Sequence, residues 1–290
     1  MAIYTADHLP YCGAPPVPAG LWGSWNLDPV LISALLGIGI AYAASQHWAR
    51  RNSDRVRGPW EETFFYAGWI IGSLAVISPL CPLSVALFAA RVGQHMILTL
   101  IAAPLIILGR PSVMFEALAA AIPQSKVFGC FGRPARVLAS APAATILFAA
   151  FLWLWHAPGP YDATFESDLT YWTMHVTLFG SALLLWSALL DTGFSGRLKA
   201  IGCGFATSIH MGILGFLITF ASRALYAAHF GTTWPWGLSE LQDQQLGGLI
   251  MWIPGCGVFL IAAAFTFCEL LRSLDHSSLD EVSSISRGRP

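Results

Sequence analysis

Residues 244–271 read QQLGGLIMWIPGCGVFLIAAAFTFCELL, and Glu269 is the only charged side chain among them. A helix of about 20 apolar residues crosses the ~30 Å hydrocarbon core of a bilayer. Lipid offers no hydrogen-bond partners to the backbone, so a run of this length and composition must satisfy its own amides as a helix. The stretch therefore predicts a transmembrane α-helix.

Six further stretches are similarly long and apolar, namely residues 27–48, 63–80, 84–109, 138–157, 168–190 and 200–222. The whole chain is 56% hydrophobic and 11% charged, whereas soluble domains carry roughly 25% charged residues. The sequence therefore predicts an all-α, polytopic membrane helix bundle of about seven transmembrane helices over residues 27–272. Residues 1–26 precede it, and the serine-rich tail at 273–290 is expected to be disordered.

The positions of lysine and arginine predict the orientation of this bundle. Thirteen of the fifteen lie in alternate connections and in the C-terminal tail, and the remaining two are Arg91 and Arg223. Cytoplasmic loops carry the excess of positive charge in membrane proteins. We therefore expect the N-terminus outside and the C-terminus in the cytoplasm. The formal net charge of −1 gives no reason to expect a nucleic-acid partner. The expected partner of the apolar helices is the lipid bilayer.

Several local features carry smaller expectations. Cys12 and Cys81 would both lie outside, where they could form a disulfide. A short interfacial helix is expected at 112–122, and Pro104 and Pro254 should kink their helices. A close-packing face is predicted from small residues at four-residue spacing on the sixth helix, Gly204, Ser208 and Gly212. The sequence has no Walker-type loop, HExxH or GxSxG pattern, so we expect no enzymatic activity.

The informative residues are ionisable groups inside predicted spans, because a charge near the bilayer centre costs ~2.5–3.5 kcal/mol on insertion scales. His95, His175 and His210 are on three different helices, at depths in the outer half or centre of the bilayer. A methionine is adjacent to each of them, and imidazole with thioether suits copper, the soft sulfur favouring Cu(I). The predicted copper ligands are His95, His175 and His210, with Met96, Met211 and Met251 as secondary candidates. The alternative for each histidine is an interhelical hydrogen bond, and for each methionine it is ordinary packing.

Other polar residues would surround such a site. Arg91 lies on the same helical face as His95, but guanidinium stays protonated and is a poor ligand. We expect it to pair with a carboxylate, Asp243 or Asp28, or to repel a misplaced cation. His156 is expected to be an interfacial residue, or else the first ligand that copper meets from outside.

The chain resembles the CtaG-type cytochrome c oxidase assembly factors in several segments. These are WNLDP at 25–29, QHM at 94–96, APL at 103–105, LGRP at 108–111, WHAP at 155–158, YD at 161–162 and DQQLGGLIMW at 243–252. The similarity runs over about 25–272, and its last segment is the most specific. It implies a multipass protein of the bacterial plasma (inner) membrane that acts in maturation of a haem–copper oxidase, with an oxidase subunit and a copper chaperone as partners.

One position departs from the family pattern. Many relatives have a histidine four residues before the one that matches His95, where this chain has Arg91. A pair of histidine ligands on one helix is therefore excluded here, and any copper site must use other histidines or methionines.

The leading hypothesis is a non-enzymatic assembly factor that binds Cu(I) transiently in its outer half. Gln94, Asp243 and Gln244 would be functional polar residues, the last two shaping the outer mouth. A second hypothesis is a transporter that moves copper or protons past the same histidines. A third is a b-type cytochrome with His95 and His210 as haem ligands, and a purely structural scaffold also remains open.

Overall fold

The computed structural model describes residues 9–52, 58, 60–121, 137–138, 140–190 and 194–287. Within these ranges all regular secondary structure is helical, which confirms the predicted all-α fold. The α-helices are α1 (Pro29–Asn52), α2 (Glu61–Ile77), α3 (Leu80–Ala86), α4 (Phe88–Met96), α5 (Ala103–Leu108), α6 (Ser112–Ala121), α7 (Ala141–His156), α8 (Pro158–Ala163), α9 (Asp168–Leu190), α10 (Phe194–Thr219) and α11 (Glu240–Arg287).

Each of the seven predicted stretches is largely helical in the structure. Five helices are long and apolar enough to cross a membrane, and α2 with α3 would make a sixth span, bent by 47°. The remaining stretch, α7, is a shorter apolar helix of 16 residues. The chain is thus a polytopic helix bundle, while the number of spans and their orientation stay predictions. Six of the positive residues that predict the orientation lie outside the described residues, namely Arg55, Arg57, Lys126, Arg133, Arg136 and Arg289.

The third predicted span is interrupted near its start, where the sequence predicted one continuous helix from residue 84. Leu87 is extended, with φ −131° and ψ 130°, and separates α3 from α4. The new helix start is capped from a distant helix, since the Asp243 carboxylate accepts hydrogen bonds from the amides of Phe88 (2.6 Å) and Ala89 (3.1 Å). A carboxylate at this position satisfies the free amides and interacts well with the helix dipole. Asp243 therefore fixes where α4 begins.

The same span contains a π-helical segment, Ile97–Ala102, directly after His95 and Met96. Pro104 explains it in part, because a proline five residues after Thr99 has no N–H to donate to the Thr99 carbonyl. The Trp186 indole on α9 supplies that hydrogen bond instead, at 2.7 Å. The helix is thus irregular beside Pro104, where a neighbouring helix satisfies the freed carbonyl, while the expected kink stays a prediction.

The predicted close-packing face on α10 is confirmed. A Cβ added at Gly204 would lie 3.2 Å from the Ala263 Cβ, and one at Gly212 would lie 2.9 Å from the Cys256 Sγ. Between them, Ser208 donates to the Cys256 carbonyl at 3.2 Å. Small residues thus allow α10 and α11 to approach closely.

Two further expectations concern the ends of the bundle. The helix expected at 112–122 is present as α6. In the C-terminal tail, α11 continues as helix to Arg287, and the disorder expected over residues 273–290 stays a prediction. No glycine or proline occurs between Val258 and Arg287, and serine alone does not end a helix.

The N-terminal segment is tied to the bundle by a disulfide between Cys12 and Cys81, with Cα atoms 5.4 Å apart. Both cysteines are buried beside Tyr171 of α9, whose hydroxyl lies 3.3 Å from the Cys12 sulfur. Tyr11 stacks on the same ring, with centroids 4.9 Å apart. The segment therefore packs against the end of α9 that carries His175.

Candidate functional site

Two of the predicted ligands meet inside the bundle. The imidazole rings of His95 on α4 and His175 on α9 have centroids 5.2 Å apart, and both side chains are buried. The Nε2 atom of each is buried without a hydrogen-bond partner among the described residues. Buried polar atoms are nearly always paired, so two orphan nitrogens on neighbouring rings point to a missing partner.

The tautomer of His175 follows from its surroundings. Its Nδ1 lies 3.0 Å from the carbonyl of Tyr171 one turn earlier. A carbonyl can only accept, so Nδ1 carries the proton, and in neutral imidazole Nε2 then presents a lone pair. Ligating histidines commonly donate their other ring N–H to a backbone carbonyl in this way. The Nε2 lone pair of His175 is therefore available to accept a bond.

His210 is placed differently from the prediction. Its ring lies against Phe148 of α7, with centroids 6.2 Å apart. The residue as a whole is half-buried, while both ring nitrogens are buried and have no hydrogen-bond partner among the described residues. Among the described residues, no group of three or more histidine, cysteine, aspartate or glutamate side chains could hold a metal ion. The expected convergence of three histidines is therefore wrong, and the structure brings two of them together.

The three candidate methionines are all buried in the apolar core. Met211 fills a notch on α11, since a Cβ added at Gly255 would lie 2.7 Å from its Cε. This contact explains Met211 as packing. Met96 and Met251 have no described contact with His95 or His175, so their role as ligands stays a prediction.

Arg91 is buried to 1% exposure and does not pair with Asp243 or Asp28, so that expectation is wrong. Instead its Nη2 donates to the Thr164 hydroxyl at 2.7 Å. Three aromatic rings surround the guanidinium, with Cζ to ring-centroid distances of 4.2 Å for Phe165, 5.2 Å for Tyr161 and 5.5 Å for Tyr171. Cation–π attraction thus replaces the expected carboxylate.

This aromatic cage lies beside the histidine pair. Arg91 is one turn before His95 on α4, and His95 interacts electrostatically with His175, Arg91 and His156. A fixed positive charge next to the imidazoles disfavours a second cation. The predicted repulsion of a misplaced cation is therefore physically reasonable for Arg91.

The other predicted polar residues have structural partners. His156 is the last residue of α7 and is buried within the protein, with Nδ1 2.7 Å from the Leu152 carbonyl, and its expected place at the membrane interface stays a prediction. Gln94 donates to the Ala75 carbonyl on α2 at 2.7 Å. Gln244 accepts from the Leu225 amide at 2.6 Å. These contacts hold helix ends and a loop in place around the end of the bundle that carries the Cys12–Cys81 disulfide.

The sequence did not reveal the loop that covers this end. His229 is buried there, and its Nε2 lies 2.7 Å from the Tyr161 hydroxyl. Burial, helped by the positive Arg91, lowers the pKa of His229 to about 3. Burial also raises the pKa of Asp162, against the opposing effect of hydrogen bonds from the Ala228 and Ala227 amides. The signal that could have found this layer was Tyr161-Asp162, which belongs to the family resemblance.

Comparison of the chain with curated proteins and with solved structures gives no match. The family model described as cytochrome c oxidase caa3 assembly factor (CtaG) matches residues 40–273. The matched range covers well over half of the chain and contains both histidines of the pair, Arg91 and its aromatic cage. The chain therefore belongs to the family of cytochrome c oxidase caa3 assembly factors.

Proposed function

We propose that this protein binds Cu(I) between His95 and His175 and passes it to a subunit of a haem–copper oxidase during assembly, without catalysing a reaction. The observation that carries the proposal is the adjacent pair of buried imidazoles whose Nε2 atoms lack partners. Imidazole is a common copper ligand, and two such nitrogens can hold Cu(I) with a low coordination number. A site with few ligands suits a protein that must release its ion.

The surroundings support a monovalent ion. Arg91 adds a positive charge one turn away, and the carboxylate of Asp243 is occupied by the amides of α4. Thioether sulfurs of Met96 or Met251 would add soft donors of the kind that Cu(I) prefers. A copper chaperone would be the source of the ion.

The location proposed is the bacterial plasma membrane, with the N-terminus outside. Disulfides persist on the oxidising side of a membrane, and the Cys12–Cys81 bond lies at the same end of the bundle as His175. The copper site would therefore be loaded from the non-cytoplasmic side.

Transport of copper or protons is the rival hypothesis, and it needs polar groups that continue across the bundle. An 840 Å³ cavity between α1, α2, α5, α6 and α9 has neither histidine of the pair in its lining, which is apolar or aromatic apart from Ser45 and Ser187. This lining favours assembly over transport. Flux of either ion into liposomes that contain the purified protein alone would support transport.

The test is the copper content of the reduced, detergent-purified protein. We expect about one copper per chain, lost in His95→Phe and in His175→Phe, each of which keeps an aromatic ring in place. The matched control is His210→Phe, which should keep its copper because His210 lies against Phe148. Copper that depends on His210 but not on His175, or no copper at all, would refute the proposed pair.

Loading of the oxidase is measured separately, in cells that produce the variants. The His95→Phe and His175→Phe variants should yield oxidase with less copper, while the amount of each variant in the membrane stays unchanged. Normal oxidase copper in both variants would contradict a role for the pair in delivery.

A further inference from the structure

A cavity of about 550 Å³ lies between α1, α2 and α9, and His175 is part of its lining. Its lining is almost entirely apolar and aromatic, with Leu35 from α1, Trp69 from α2 and Trp172 from α9 as examples. Small-molecule sites typically have volumes of ~300–1,000 Å³, apolar walls and a few polar groups that orient the ligand. The cavity has these properties.

The cavity opens sideways towards lipid. Its lining includes residues that are strongly exposed on the outside of the bundle, with Val30 75% and Val176 65% exposed. Ile38, also in the lining, is 41% exposed. A ligand would therefore enter from the bilayer and must be soluble in it.

One polar atom in this cavity lacks a partner. Of the described residues that line the cavity, only His175 has a buried side-chain nitrogen or oxygen without a hydrogen bond, and that atom is Nε2. His175 is 6% exposed. The Tyr11 hydroxyl, also in the lining, already donates to the Asp28 carboxylate. Because His175 Nδ1 donates to the Tyr171 carbonyl, Nε2 can only accept. The complementary group on a ligand is a donor.

We propose that this cavity binds a membrane-soluble amphiphile, a long alkyl or isoprenoid chain with a hydroxyl head that donates a hydrogen bond to His175 Nε2. The chain occupies the apolar walls between α1 and α9, and the hydroxyl satisfies the orphan nitrogen. This site would take a different ligand from the histidine pair, but both sites use the Nε2 lone pair of His175. The amphiphile and Cu(I) therefore exclude each other.

The experiment uses metal-free full-length protein in phosphatidylcholine nanodiscs. The probe is a hexadecanol that carries a photoreactive diazirine in its chain, and the labelled peptides are identified by mass spectrometry. Competitors are hexadecanol, geranylgeraniol and the methyl ether of each, which keeps the chain but has no donor. We expect labels on α1 and α9, with each alcohol competing roughly two- to tenfold better than its ether, the range of one hydrogen bond.

Two variants test the assignment. His175→Phe should remove the advantage of the alcohols while the ethers still compete, which also shows that the cavity is intact. His210→Phe should retain the full advantage. Leu35→Trp, which fills the cavity, should abolish labelling by the probe. Equal competition by alcohol and ether in the unmodified protein, or labels confined to residues outside the cavity lining, would overturn the proposal.

The outcome is independent of the copper hypothesis because the protein is metal-free. In a separate arm, Cu(I) is added to the probe-bound protein. Displacement of the probe supports a shared His175. If the probe stays bound, the copper content of the same sample decides: absence of copper counts against the copper site, whereas bound copper contradicts the shared lone pair.

Discussion

Replacement of Arg91 should show that a conservative substitution is the more damaging one. Arg91 is buried, is held by the Thr164 hydroxyl at 2.7 Å, and has its guanidinium 4.2 Å from the Phe165 ring centroid. Lysine would keep the buried charge but lose the planar group that contacts both partners. Methionine would remove the charge and keep an apolar chain beside the rings. We predict that Arg91→Lys destabilises the protein more than Arg91→Met.

The magnitude follows from the contacts. A hydrogen bond to a charged group is worth ~1.5–3 kcal/mol, and a desolvated cation–π contact about 2 kcal/mol. Arg91→Lys loses much of the hydrogen bond and of the cation–π attraction while the charge stays buried, so it should lower the free energy of unfolding by about 2–4 kcal/mol. Arg91→Met also loses these contacts, but it no longer bears the desolvation of the charge, and such replacements are often near neutral. Thr164 keeps a partner in both variants, because its hydroxyl donates to the Tyr161 carbonyl at 2.6 Å.

The assay is thermal unfolding of both variants in one detergent, followed by near-ultraviolet circular dichroism of the aromatic cage. Arg91→Lys should unfold at the lower temperature, and Arg91→Met within a few degrees of the unmodified protein. If Arg91→Met were the less stable of the two, the positive charge itself would stabilise the fold, and the account of the cage would be wrong. Copper content in the same preparations reports separately on the role of the charge beside His95.

Three further predictions concern stability. The pKa of His229 is about 3 in the folded protein, against an ordinary value of 6.5. The unfolded state therefore takes up the proton first, and stability should fall as pH drops from 6.5 towards 3. His229→Gln should make this fall smaller in acid-unfolding curves. Reduction of the Cys12–Cys81 disulfide, which spans 69 positions, should lower stability by about 4 kcal/mol on the chain-entropy model, and Cys12→Ser with Cys81→Ser should lose the sensitivity to reductant in thermal melts. Gly109→Ala would bring a Cβ to 2.5 Å from the Phe65 Cβ and 2.6 Å from its backbone nitrogen on α2, and should cost ~1–3 kcal/mol in thermal unfolding. The control Gly93→Ala, with nothing within 4 Å of the added Cβ, should be neutral or stabilising.

Hydropathy predicted the helices well because lipid imposes a rule that depends on composition alone. An apolar run must become a helix wherever it crosses the bilayer, so the seven stretches could be found without knowledge of their neighbours. The interruption at Leu87 could not be found in this way. It depends on the carboxylate of Asp243, which is 155 positions further along the chain than Phe88. No local sequence pattern predicts a cap that comes from another helix.

For the candidate site, the sequence predicts the depth of each histidine in the bundle but not the direction in which its ring faces. The depth of a histidine can be counted from the end of its helix at about 1.5 Å per residue, and the sequence placed His95, His175 and His210 at compatible depths on that basis. Which way each ring faces depends on how every helix is rotated about its own axis, and this is decided by packing against its neighbours. The notch at Gly255 that receives Met211, together with the close contact of α10 with α11, fixes the rotation of α10 and leaves His210 beside Phe148. His175, in contrast, is directed by the Tyr171 carbonyl towards His95. A histidine cluster inferred from depth alone thus includes one histidine too many, and the rotation of α10 explains why His210→Phe is the matched control for His175→Phe.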